Sequence, residues 1–200
     1  MSAPTDSRAL AGFALLAIFA STPSIGDQQP TIADLVPVGV LQEITDAKTV
    51  GDLERIHGSV VAPDITVEVA YGLRLCELGR NKPGENILLE SLPRNRVEFV
   101  FLFSVPEACK KKGLSLSDRL CMIPDTYLVT VGKLLPGHRK YYARFLTLSV
   151  FADGYVAEDL DSINRRLEQA DRPAFVSALR ELAPSVRERI CGKCVDELRR

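Results

Sequence analysis

The stretch Ile65-Thr66-Val67-Glu68-Val69-Ala70-Tyr71-Gly72-Leu73-Arg74-Leu75 decides between two fold classes. Its odd positions carry Ile, Val, Val, Tyr, Leu and Leu, and its even positions carry Thr, Glu, Ala, Gly and Arg. Such alternation is the mark of a half-buried strand. Extended by one residue, the same stretch sets Ile65, Val69, Leu73 and Cys76 at helical spacing behind Asp64, a side chain suited to capping a helix amino terminus. Residues 95–105 and 127–131 pose the same question, being rich in Val, Phe and Tyr. None of these segments is joined to a neighbour by an Asn-Gly or Asp-Gly hairpin turn. Burial readily makes a β-branched segment helical, because intrinsic propensity is a weak force. The expected class is therefore mainly α, with α+β as the alternative.

The flanking segments carry helix punctuation. Thr49-Val50-Gly51-Asp52 has the form of a capping box with Asp in place of Glu, followed by Leu53, Ile56 and Val60 on one face. Asp171-Arg172-Pro173 pairs a cap residue with a Pro in the first turn, ahead of Phe175, Leu179 and Leu182. Between them, Leu160, Ile163 and Leu167 step by three and four, with Asp159 and Asp161 early and Arg165 and Arg166 late, as the helix dipole favours.

Three passages share one form: an apolar helical end, a Pro, then an Arg three places on. They run through Pro93 to Arg96, Pro136 to Arg139 and Pro184 to Arg187. A period of about 45 residues is in the range of two-helix repeats. Each Pro is expected to mark the turn of an αα-hairpin, and the domain to be an irregular stack of antiparallel helix pairs with a solenoid-like character. Leu88, Leu92, Val97, Phe99, Phe101, Leu102, Leu134, Leu135, Tyr142, Phe145, Leu146, Leu179, Leu182 and Ile190 are the expected core.

The amino terminus reads differently. Arg8 precedes an apolar run from Ala9 to Ala20, and Ser24 and Gly26 follow as small residues. Charged start, short apolar middle and small residues at a cut site describe a secretory signal peptide over residues 1–26. The alternative is a membrane anchor over residues 9–20, a run shorter than the roughly 20 residues a bilayer needs. Residues 27–48 are expected to be a partly ordered amino-terminal segment, and residues 49–200 a single helical domain. The protein is then secreted or periplasmic, with no membrane contact after signal cleavage.

Charge narrows the partners. The chain balances 26 acidic against 25 basic residues, for a net charge of −1. Loss of Asp6 and Arg8 with the signal leaves that balance unchanged. No overall field then attracts nucleic acid or anionic membrane. Lys110, Lys111 and Lys112 form a local basic run beside Gly113, with no interleaved aromatics for base stacking, and read as a solvated loop.

Five cysteines remain after the signal: Cys76, Cys109, Cys121, Cys191 and Cys194. An exported chain meets oxidant, so one or two disulfides are expected, with one thiol left over. Cys109 and Cys121 flank the Lys run and could close it. Cys191-Gly192-Lys193-Cys194 has the spacing of a redox pair, with Lys193 between the sulfurs to lower a thiol pKa. The bare pattern resembles the active-site pair of thioredoxin-like oxidoreductases. That resemblance covers four residues, and the pair follows a helical pattern where that family has a strand. His57 and His138 stand alone, without the second ligands that zinc requires. Gly113-Leu114-Ser115-Leu116-Ser117 is not a nucleophile elbow, and Gly132-Lys133-Leu134 is not a phosphate loop. No cofactor is implied. The expected role is a non-enzymatic protein-interaction or structural module with a protein partner. The alternative is thiol–disulfide exchange by Cys191 and Cys194.

Overall fold

The structure is a computed structural model that describes residues 30–190. The expected signal peptide and the Cys191/Cys194 pair lie outside the described residues. Among those described there are eleven α-helices and no strand. They are α1 (Val38–Asp46), α2 (Val50–Ser59), α3 (Ile65–Glu77), α4 (Asn81–Glu90), α5 (Arg96–Phe103) and α6 (Val105–Lys111), followed by α7 (Ile123–Leu134), α8 (Tyr142–Phe151), α9 (Gly154–Ala170), α10 (Arg172–Glu181) and α11 (Pro184–Ile190). Short 3-10 turns cover Ile32–Leu35, Leu135–Gly137 and Arg139–Tyr141.

The deciding stretch is helix α3. Asp64 caps it, its carboxylate accepting from the backbone N–H of Thr66 at 2.7 Å and of Val67 at 3.1 Å. Thr66, Val67, Val69, Ala70, Gly72 and Leu75 are all buried. A helix buried on most sides needs no polar stripe, and α3 packs on α1, α2, α4, α5 and α7 at once. The strand-like alternation arises because residues on both sides of this central helix are apolar. Residues 96–103 and 127–131 are helical as well, in α5 and α7.

The predicted caps form. The Thr49 hydroxyl accepts from Asp52 N–H at 3.1 Å and donates to the Asp52 carboxylate at 2.7 Å. Asp171 accepts from Ala174 N–H at 3.1 Å, with Pro173 in the first turn of α10. Asn95, not anticipated as a cap, accepts from Glu98 N–H at 2.9 Å and starts α5.

The three prolines sit at helix boundaries, as expected, but they do not organise the packing. Pro93 separates α4 from α5, Pro136 lies in the 3-10 turn after α7, and Pro184 opens α11. The most extensive helix pair is α3 with α4, joined by the short turn at residues 78–80. Helices α10 and α11 both pack on α8, and α7 packs on α3 and α4. In a solenoid each unit touches only its neighbours. Here α3 packs on α7 and α5 on α8, segments well separated in the chain, so the contacts are not those of a strictly linear stack, and the expected antiparallel pairing is not shown. The reason is that Leu-x-Pro encodes where a helix stops and carries no instruction about its partner.

The core expectation holds for Leu88, Leu92, Phe99, Leu102, Leu135, Tyr142, Phe145, Leu146 and Leu179, all buried. Phe101, Leu134, Leu182 and Ile190 are half-buried against it. Val97 is 72% exposed and is a correction. Residues two apart share a face in a strand but lie about 200° apart on a helix. On α5, which turns the Phe99 and Leu102 side to the core, Val97 is left facing water. A second difference concerns residues 27–48. Leu41 and Ile44 of α1 are fully buried, and α1 packs on α3, so the ordered core begins ahead of residue 49.

Candidate functional site

Four segments converge on one cleft of about 250 Å3. Helix α3 supplies Ala70, Leu73, Arg74 and Glu77, whose spacing of three, four and seven sets them on one face. Thr45 enters from α1, Ile123 and Thr126 from α7, and Ser117, Arg119 and Met122 from the connection between α6 and α7. Ala70 and Ile123 are buried and make an apolar floor with Leu73. Met122 is 39% exposed.

Charge sits at the edge of this floor. The Arg74 guanidinium donates through Nε to the Ala47 carbonyl at 2.9 Å, satisfying an orphan acceptor at the carboxyl end of α1. It also donates through Nη1 to Glu77 Oε2 at 2.6 Å. Arg119 Nη2 pairs with the same Glu77 oxygen. Burial pushes the Glu77 carboxyl up, but hydrogen bonds from Arg74 and then Arg119 together outweigh it and hold the group below the ordinary carboxylate range. Two guanidiniums against one carboxylate leave the lining with an excess of one positive charge.

The connection that carries Arg119 is held at both ends. Helix α6 ends on Gly113, at φ 73°, with Gly113 N–H donating to Lys110 O at 3.0 Å and Leu114 N–H to Cys109 O at 3.0 Å. Both bonds belong to the Schellman ending, which needs a left-handed residue here and so favours Gly. The Lys run therefore belongs to the last turn of α6 and its cap, not to a free loop. Lys111 pairs with Asp34 at 2.8 Å and donates to Thr31 at 2.7 Å, tying the first 3-10 turn to α6. Farther along, Asp118 accepts from Ser115 N–H at 3.0 Å, and its carbonyl accepts from Cys121 N–H at 2.9 Å.

The described cysteines are all thiols. Cys109 and Cys121, which bracket this connection, are buried and have each other's side chains as neighbours. Burial, and next the adjacent Cys121, push the Cys109 thiol far up. Cys76 lies apart on α3, half-buried, its Sγ 3.9 Å from the Asn81 carbonyl on α4. Burial, and next the Glu85 charge, raise its thiol as well. Neither Cys76 nor Cys109 has the depressed pKa of a nucleophilic thiolate.

His57 has an ordinary structural environment. Its Nε2 is 3.1 Å from Glu68 Oε1 and its ring stacks on Tyr71 with centroids 4.0 Å apart, joining α2 to α3. His138 is tilted against Tyr141. Among the described residues no three His, Cys, Asp or Glu side chains form a ligand cluster, and no helix is long and apolar enough to cross a membrane.

Sequence reasoning selected the cysteines and missed the cleft. Its residues are common types scattered over 82 positions of chain, from Thr45 to Thr126, so only their convergence reveals it. The one legible signal was the Arg74, Glu77 pair at helical spacing. No known family, curated protein or solved structure matches the chain.

Proposed function

We propose that the chain is an exported, non-enzymatic interaction module and that the cleft between α3, α7 and residues 112–122 is its recognition face. One observation carries the reading: a mostly apolar floor bounded by an ion cluster, to which α1, α3, α7 and the α6–α7 connection all contribute. Concave apolar surfaces with a few fixed polar groups are the usual form of binding sites. Screening a small-molecule fragment library by amide chemical shifts tests it. Binders should perturb Leu73, Arg74, Arg119 and Thr126 together. Hits scattered over the surface, or none, would overturn it.

Export supplies a second element of the proposal. As the chain folds in an oxidising space, Cys109 and Cys121 exchange with a disulfide oxidant. Their two S–H bonds are lost, one S–S bond forms, and the oxidant leaves as two thiols. The pairing is supported by their proximity in the core and by their positions at the two ends of one connection. A loop of this size stabilises by about 3 kcal/mol in the chain-entropy picture. The oxidised protein should melt roughly 6–12 °C above the reduced one. Cys121→Ala should abolish that difference, and peptide mapping should find residues 109 and 121 cross-linked. An unchanged melting midpoint with both thiols alkylatable in the unfolded protein would remove this part.

A further inference from the structure

We infer that the cleft takes a monocarboxylate attached to a short aliphatic group, with Arg119 as the carboxylate-binding residue. This rests on the cleft being the recognition face, and it adds the chemistry of the ligand.

The charge pattern points to an anion. Arg74 is committed to structure: its side chain is 11% exposed, and it is spent on the Ala47 carbonyl and Glu77. Arg119 is different. Its side chain is 59% exposed, and among the described residues it pairs through Nη2 with Glu77. A guanidinium carries five donors in a planar fork suited to a carboxylate. Glu77 takes one Nη2 hydrogen of Arg119, and the second Nη2 hydrogen with its neighbouring donor, Nε or Nη1, still forms a fork on the side away from Glu77.

The floor points to the rest of the ligand. Ala70, Leu73, Met122 and Ile123 offer aliphatic contact, and Met adapts to varied shapes. A volume of about 250 Å3 is below the usual range for drug-sized ligands, about 300–1,000 Å3, so the apolar part is short. The hydroxyls of Ser117 and Thr126 also line the cleft, with Ser117 Oγ 2.8 Å from Ser115 Oγ. A free aliphatic acid and the carboxyl terminus of a peptide ending in an aliphatic residue share this chemistry.

Titration calorimetry and amide shifts with hexanoate and N-acetylleucine, each beside its neutral amide, distinguish the sources. The acids should bind at least about tenfold more tightly than their amides, as expected for one charge-assisted, forked contact. Preference for N-acetylleucine assigns a peptide terminus, and preference for hexanoate a free acid. Arg119→Gln should remove the acid-over-amide preference and leave the circular dichroism spectrum unchanged. Glu77→Gln, which withdraws the competing carboxylate, should tighten acid binding. If amides bind the cleft as well as acids, or Arg119→Gln changes nothing, the carboxylate assignment fails while the recognition face stands. If no compound perturbs the cleft, both fail.

Discussion

Leu135→Asp should destabilise the domain by at least about 4 kcal/mol, most of the stability of a domain at the lower end of the usual range of about 5–15 kcal/mol. Leu135 is fully buried in the 3-10 turn that follows α7, where it packs toward α7 and α9. Removing a buried Leu side chain alone costs about 2–5 kcal/mol. A carboxylate placed there adds a desolvation penalty, relieved only in part by taking up a proton. Val129→Asp is the comparison. Val129 is 53% exposed on α7, and a charge there should shift stability by about 0.5 kcal/mol or less. Urea unfolding of both variants checks the contrast. Equal midpoints would mean that Leu135 does not face the core.

The second large effect concerns a glycine pair. Gly84→Val should lower the melting midpoint by roughly 6–12 °C, and Gly84→Ala by about half as much. A β-carbon at Gly84 would lie 2.5 Å from Cys76 Sγ, 2.7 Å from the Gly72 carbonyl oxygen and 3.0 Å from the Cys76 backbone nitrogen. Two of those three atoms are backbone, so no rotamer change clears them and α3 must move away from α4. Overpacking of this kind costs about 1–3 kcal/mol, more for a branched side chain. The same exchange at Gly58, where nothing lies within 4 Å of the added carbon, should stabilise by up to about 1 kcal/mol through helix propensity. Opposite signs for one chemical change at two helical glycines separate close packing from propensity. If Gly84→Ala also stabilises, α3 and α4 are not in backbone contact.

The Gly84 contact also explains how α3 settled as a helix. Alternation along Ile65 to Leu75 is what a strand would show, and local preference for β-branched residues agrees with it. Asp64 and the short backbone approach at Gly72 and Gly84 favour the other outcome. A β-carbon at Gly72 would also be tight, though only against side chains, with Leu88 and Ile87 atoms at 3.0–3.1 Å. Small residues at 72 and 84 let two helices come close enough to bury Leu75, Leu88 and Leu89 between them and their neighbours. The sequence contained those glycines but not their proximity, because they belong to different helices.

The features legible along the chain are local: the caps at Thr49, Asp64 and Asp171, the helix limits at Pro93, Pro136 and Pro184, the periodicity of α9 and α10, and the near-neutral charge. These follow from interactions within about four residues, which any reading of spacing captures. Tertiary structure alone decided which helices are partners, that Val97 faces water, that α1 joins the core, and that Arg74, Glu77 and Arg119 meet over an apolar floor. Those outcomes depend on burial summed over distant segments, and hydrophobic burial is non-directional: it rewards any arrangement that removes apolar surface from water, and only the packing of the whole chain selects one.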